Sequence, residues 1–287
     1  MESNNTSEND HLARSIFVQG LVQRSHELNK ASPVLLRRPP KKIVQFWNDL
    51  SQLPGDVREC IESWRRMETQ GFELLLFDEK KAREFIHREL GSRHEKAFDK
   101  CYHPAMQSDY FRLCYILVKG GCYVDADDVY QGQTIEHLFY DGRLKIQPLC
   151  YDMLTDKMVP PSTFTKAGAN NLNWIVYFNN NPLLAASGHP IIEWALTQAT
   201  SSLDRYVTEE LPDIQSTTGP GNLTKSIFNF LTKNGGTGEN LFILRDWEDI
   251  AISRWPLSYR NDSRNWRLSD CKDYNQHQQE QMTSGDT

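Results

Sequence analysis

Three carboxylates stand within four positions of this chain, at Asp125, Asp127 and Asp128. Acids this close repel one another, and their pKa values rise unless a cation or a set of ordered donors sits among them. Oxygen-only ligands suit a hard divalent ion such as Mg²⁺ or Mn²⁺. The same residues also fit a solvated acidic turn, because Asp-x-Asp alone arises by chance in many proteins. Upstream, Asp109 and Arg112 are three residues apart in Ser108-Asp109-Tyr110-Phe111-Arg112, which puts both on one face of a helix. Apart from Arg112, residues 111–118 are apolar. Burying either charge alone would cost several kcal/mol, so the two must pair with each other or with groups in a site.

The elements that position these groups follow from pattern. The apolar run ends at Lys119 with a glycine cap at Gly120, and residues 122–124 read as a short strand. The acids therefore lie at a strand's carboxyl end, where open α/β sheets bind ligands. Residues 43–47 read as a first buried strand ending in Trp47, 57–68 as a helix, 72–78 as a second strand and 79–90 as an amphipathic helix. That alternation predicts a parallel sheet with right-handed crossovers. Asp78 either caps the helix after it or lies near the site, and His103, just before Pro104, reads as a loop residue. Further strands are expected at 144–151 and 174–178, joined by a long loop that helps form a cleft. A helix is expected from 191 to about 211. The Gly-rich start of another, at Thr218-Gly219-Pro220-Gly221, either offers backbone amides to a sugar or phosphate oxygen or simply connects.

With 287 residues, 39% hydrophobic and 24% charged, the chain suits one large soluble α/β domain with a modest appendage. A net charge of −6 provides no basic footprint, which argues against nucleic acid as a partner. No apolar run is long enough to span a bilayer. The polar, acidic start predicts no secretory signal, hence cytoplasmic residence, with delivery into a host cell a compatible alternative. Six scattered cysteines show no zinc-type spacing and read as buried thiols. Residues 1–38 form a polar leader with an appended helix, bounded by Arg37-Arg38-Pro39-Pro40-Lys41-Lys42; 39–268 form the main domain; 269–287, rich in Gln, Asp and Ser, read as a disordered tail.

Ser-Asp-x-x-Arg, an apolar run, then Gly-Gly-x-Tyr-x-Asp-x-Asp resembles the signature of sugar-nucleotide glycosyltransferases of the GT-A fold. Within them the chain is most similar to glycosyltransferase family 32 and its relatives, the group of yeast-type initiating mannosyltransferases, bacterial capsular sugar transferases and clostridial glucosylating toxins. The resemblance implies an α/β, Rossmann-like GT-A fold: a mixed, mainly parallel sheet flanked by helices, here with an N-terminal helical appendage. It implies a metal-dependent, retaining transfer of a sugar from a nucleoside diphosphate, a UDP-sugar first and GDP-mannose second. The acceptor would be a carbohydrate, a lipid-linked sugar or a protein. Asp127 would bind Mn²⁺ or Mg²⁺ with help from Asp125, Arg112 would add positive charge, and Asp109 and Asp125 would contact the ribose or donor sugar. Trp47 would lie near the base and Trp266 against the leaving diphosphate.

The family usually closes its metal site with a late segment ending in Ser-x-Ser-Trp or Gly-Ser-Trp. Here the segment is Ser263-Arg264-Asn265-Trp266 and the His often found upstream is missing, so Asn261 or Asp262 would have to supply the third ligand. Two other readings compete. In a haloacid-dehalogenase-like, Mg²⁺-dependent phosphohydrolase a strand-end Asp would attack phosphate and a second Asp would act as acid/base, although the motif falls too late in the chain and Asp109 and Arg112 go unexplained. A nucleotide-sugar binding protein without catalysis is the other.

Overall fold

The computed structural model describes residues 2–32, 37–205 and 212–267, with side chains from residue 11 onward. Helices α1 (Glu2–Gln23) and α2 (Ser25–Lys30) precede strand β1 (Lys42–Phe46), followed by α3 (Gly55–Ser63) and β2 (Glu73–Phe77). Then come α4 (Glu79–Leu90), α5 (Ser92–Asp99), α6 (Pro104–Lys119), β3 (Gly121–Tyr123), β4 (Asp128–Tyr130), β5 (Leu144–Asp152) and β6 (Lys157–Met158). The remainder is α7 (Pro161–Phe164), β7 (Trp174–Ala185), α8 (Pro190–Arg205), α9 (Ile214–Thr217), α10 (Pro220–Lys233), β8 (Leu241–Ile243) and β9 (Ala251–Ser253).

The main sheet runs β2-β1-β3-β7-β5-β6, with β8 also on β5. Strands β1, β2, β3, β5 and β8 point one way while β7 and β6 oppose them, so the sheet is mixed and mainly parallel. On one face α4, α6, α8 and α10 enclose the largest core, around Phe111, Ile116, Phe178, Leu196 and Ile227. A second core on the other face gathers Trp64, Phe72, Phe139 and Trp247.

Some elements depart from the sequence expectation for identifiable reasons. The helix expected over 57–68 is α-helical only to Ser63 and tightens to 3₁₀ over Trp64–Gln70, ending where Gly71 turns left-handed at φ +80°. Helix α6 begins at Pro104, four residues before the Ser108 at which the helical motif opens, because the His103 Nδ1 accepts the Ala105 amide and Pro104 suits a first turn. Strand β7 continues well past 178 through Asn179-Asn180-Asn181, whose polar side chains find partners inside the protein. Asp78 accepts the Lys81 amide and caps α4. The expected end of the helix near 211 and the tail from 269 fall outside the described residues, as does Cys271; the other five cysteines are free and buried.

The N-terminal helices are part of the main core, to which Val18, Leu21, Val22 and Leu28 contribute. They also seal exposed strand edges, which would otherwise offer unpaired backbone groups. Ser15 Oγ donates to the Trp174 carbonyl and accepts the Val176 amide, and Thr224 does the same for both backbone groups of Phe178. The Asn29 side chain brackets Ile243 in β8, donating to its carbonyl and accepting its amide at 2.9 Å each. No helix among the described residues is long and apolar enough to cross a membrane.

Two glycines before the acidic turn are dictated by space. Gly120 (φ +68°) would place a Cβ 2.7 Å from the Ser187 amide nitrogen, and Gly121 (φ +110°) would place one 2.9 Å from the Lys42 carbonyl. This approach seats β3 between β1 and β7, so the chain leaves the sheet at Val124 with its acids emerging at the sheet's centre.

Candidate active site

A cleft of about 720 Å³ opens at the carboxyl end of β3. Its walls include Trp47, Asp109, Arg112, Asp125, Asp127, Asn180, Tyr259, Arg260 and Trp266. Helix α6 supplies Asp109 and Arg112, the turn after β3 supplies Asp125 and Asp127, and β7 supplies the asparagines. The late segment is brought in by a two-stranded ladder in which Asp128 pairs with Ser253 and Tyr130 with Ala251. Ser258 then anchors to the Asp56 carboxylate at the start of α3, and the Arg254 amide donates to the Asp127 carbonyl. His103 adds a last tie: its Nδ1 is an acceptor, so Nε2 carries the proton given to the Ser263 carbonyl at 3.0 Å.

Arg112 is the buried hub, at 3% exposure. Its Nη2 donates to Asp125 Oδ1 at 2.9 Å and Ser108 Oγ at 2.8 Å and lies 3.0 Å from Asp109 Oδ1. Its Nη1 donates to the Asn180 carbonyl at 3.0 Å, Nε donates to the Ser108 carbonyl, and the guanidinium carbon sits 4.4 Å from the Tyr123 ring centroid. Every nitrogen of Arg112 thus has a protein partner, which makes it a holder of carboxylates rather than a cation free to meet a ligand. Burial opposes its charge, but Asp125, Tyr123 and Asp109 outweigh that and raise its pKa.

Asp125 is held twice more: its amide donates to Asn181 Oδ1 at 3.0 Å, and its carbonyl accepts from Gln45. The other end of Asn181 donates to Asp128 Oδ2 at 2.8 Å, so one asparagine closes the acidic turn. Burial pushes the Asp125 carboxyl up to about 6, with Arg112 pulling against it and Asp127 adding to it. Burial likewise raises Asp109, against Arg112 and the Asn180 amide. Asp128, 2% exposed, goes well above the carboxylate range through burial and then its neighbours Asp127 and Asp125. It neither faces solvent nor lines the cleft; it is a structural acid beneath the turn.

Asp127 Oδ2 accepts the Tyr259 hydroxyl at 2.8 Å and a short, charge-assisted bond from Arg260 Nη2. Arg260 lies over the Trp255 ring, its guanidinium carbon 3.5 Å from the ring centroid. Trp47 lines the cleft but meets Tyr259 edge-on at 5.2 Å, and the Arg264 guanidinium lies 5.9 Å from its ring centroid. Trp266 also lines the cleft, beside Arg267.

Asn261 and Asp262 are exposed and do not line the cleft; Asp262 is bound to Arg264 through both oxygens. No cluster of three His, Cys, Asp or Glu side chains fit to hold a metal occurs among the described residues. The residues that fit a divalent cation are Asp125 and Asp127. Asp125 is 32% exposed on the cleft side, and neither Asp125 Oδ2 nor Asp127 Oδ1 accepts a hydrogen bond from the described residues. One or two carboxylates completed by water and substrate phosphate is the habitual environment of Mg²⁺, so a third protein ligand is not required.

The sequence assigned no role to Asn180, Asn181, Tyr259 or Arg260. The Asn-Asn-Asn-Pro run and the Tyr-Arg pair were visible, but the contacts that give them meaning span 53 to 133 positions of chain.

Residues 54–141, a span containing α6 and the acidic turn, match the family described as "Glycosyltransferase sugar-binding region containing DXD motif". No curated protein matches the chain. Among solved structures, the PaToxG glycosyltransferase overlays with a TM-score of 0.47 and 14% identity, covering 91% of this chain and 96% of that one.

Proposed function

We propose that this glycosyltransferase, whose DXD-containing region spans residues 54–141, moves a sugar from a nucleoside diphosphate to an acceptor with a divalent cation at Asp125 and Asp127. The observation that carries the reading is the convergence of both acids on one cleft, each with a carboxylate oxygen left open. A UDP-sugar is the favoured donor, GDP-mannose the second. Retention of anomeric configuration comes from the family resemblance rather than from the cleft. The acceptor is a carbohydrate, a lipid-linked sugar or a protein.

Breaking the anomeric bond builds negative charge on the leaving diphosphate. When bound, Mn²⁺ or Mg²⁺ supplies Lewis-acid neutralisation of that charge. The chain's own residues prepare the place. Arg112 and Asn181 fix the Asp125 carboxylate and backbone, so Asp125 itself needs little reorganisation when a donor enters. Asn180 and Arg112 hold Asp109 against the start of α10, where Gly219 passes so close that a Cβ would lie 3.1 Å from Asp109 Oδ2. Trp266 and Trp47 offer apolar walls to a sugar nucleotide.

Calorimetric titration with UDP, with and without Mn²⁺, tests the reading. Binding that tightens with Mn²⁺ in the wild type and loses that response in Asp127→Asn supports it. UDP affinity indifferent to metal refutes the cation's role, and metal-dependent affinity without turnover of any donor marks a binding protein.

A further inference from the structure

Arg260 stands beside the place that the reading above gives to a cation, on the other carboxylate oxygen of Asp127. It occupies Asp127 Oδ2 through Nη2 and rests on the half-exposed face of Trp255, yet its buried Nε has no hydrogen-bond partner among the described residues. A buried donor without an acceptor is costly, so the present pose leaves part of the Arg260 hydrogen-bonding capacity unused. The guanidinium lines the same cleft as Asp125 and Asp127 and presents a planar fork suited to phosphate oxygens.

Charge points the same way. In the cleft Asp109, Asp125 and Asp127 pair with Arg112 and Arg260, and Glu248, Arg264 and Arg267 also line the wall, so the acids are balanced before any ligand enters. A divalent cation arriving alone would have to share Asp127 with a guanidinium. A diphosphate arriving with it offers Arg260 a replacement anion.

We propose that Arg260 is an exchangeable counter-ion. With no donor it neutralises Asp127 and holds divalent cation off; with donor bound it transfers to the diphosphate and frees Asp127 Oδ2. Metal and nucleotide therefore bind cooperatively, and Arg260 is the source of the coupling. The inference rests on the cation site described under the proposed function.

The test uses the full chain, with Mn²⁺ uptake read from the electron paramagnetic resonance signal of the free ion, with and without saturating UDP. Wild type is expected to bind Mn²⁺ weakly alone and about ten-fold or more tightly with UDP. Arg260→Gln is expected to bind Mn²⁺ alone about five-fold or more tightly than wild type, and to keep a UDP-dependent gain of no more than about three-fold. Arg260→Lys, which keeps the charge but loses the fork and the guanidinium contact over Trp255, falls between the two. A folded variant of either kind whose metal affinity without UDP equals that of wild type overturns the exchange and leaves the cation site standing. Absence of Mn²⁺ uptake by wild type even with UDP overturns both.

Discussion

Replacing Arg112 by Met tests the hub of the cleft. The guanidinium is 3% exposed and serves Asp125, Asp109, Ser108 and the Asn180 carbonyl. Without it, among the described residues, Asp109 keeps only the Asn180 amide and Asp125 has no side-chain donor to its carboxylate. Removing one partner of a buried ion pair costs about 3–5 kcal/mol, a large fraction of the roughly 5–15 kcal/mol that holds a typical domain together. Urea unfolding at neutral pH should show a lower midpoint with an unchanged slope. The deficit should also depend on pH in a definite direction. Burial already pushes the folded Asp125 carboxyl up to about 6, and Arg112 is the group that restrains it. A carboxyl with a raised folded pKa binds protons in the folded state first, so its penalty is absent at low pH and grows as pH rises through that pKa. The variant's deficit should therefore shrink as pH falls below about 6, and Asp109→Asn in the same chain should recover part of it. A variant within about 1 kcal/mol of wild type at neutral pH, or a deficit indifferent to pH, would refute the account of Arg112.

Other substitutions separate site from scaffold. Gly219→Ala would set a methyl 3.0 Å from Gln215 Cα and 3.1 Å from Asp109 Oδ2, and should cost about 1–3 kcal/mol in thermal melts together with weaker UDP binding. Asp128→Asn should be mild, within about 1 kcal/mol in urea and with activity kept, since burial already disfavours the charged form of Asp128 and an amide oxygen can still accept from Asn181. His189 is 1% exposed and burial lowers its pKa to about 4; the unfolded chain takes its proton first, so wild type should lose stability as pH falls from about 6.5 to 4, by up to about 3 kcal/mol. Stability against pH for His189→Gln should lack that component.

Local spacing made much of this molecule readable. Three positions between Asp109 and Arg112 put both on one helix face, and Gly120-Gly121 before a short strand put Asp125 and Asp127 at a strand end. The bounds of α4 were readable for the same reason, with Asp78 capping its start and Gly91 following its end. What the sequence hid is tertiary. Nothing near Arg260 signals that it will meet Asp127, because the β4–β9 ladder that joins them is a pairing of two three-residue strands far apart in the chain. The sequence pattern ends that strand at 178, yet it runs on through Asn179–Asn181, where Asp109 receives the Asn180 amide and Asp128 the Asn181 amide. The third-ligand assignment to Asn261 or Asp262 came from family pattern; in the structure Arg264 binds Asp262 and keeps it outside the cleft.

The most direct measurement is hydrolysis of a panel of nucleotide sugars by wild type and Asp127→Asn, with and without Mn²⁺. Loss of a Lewis-acid site worth several kcal/mol predicts Mn²⁺-dependent hydrolysis of at least one donor, a UDP-sugar foremost, falling about 100-fold or more in the variant. Asp127→Asn turning over its donor as fast as wild type would contradict the account.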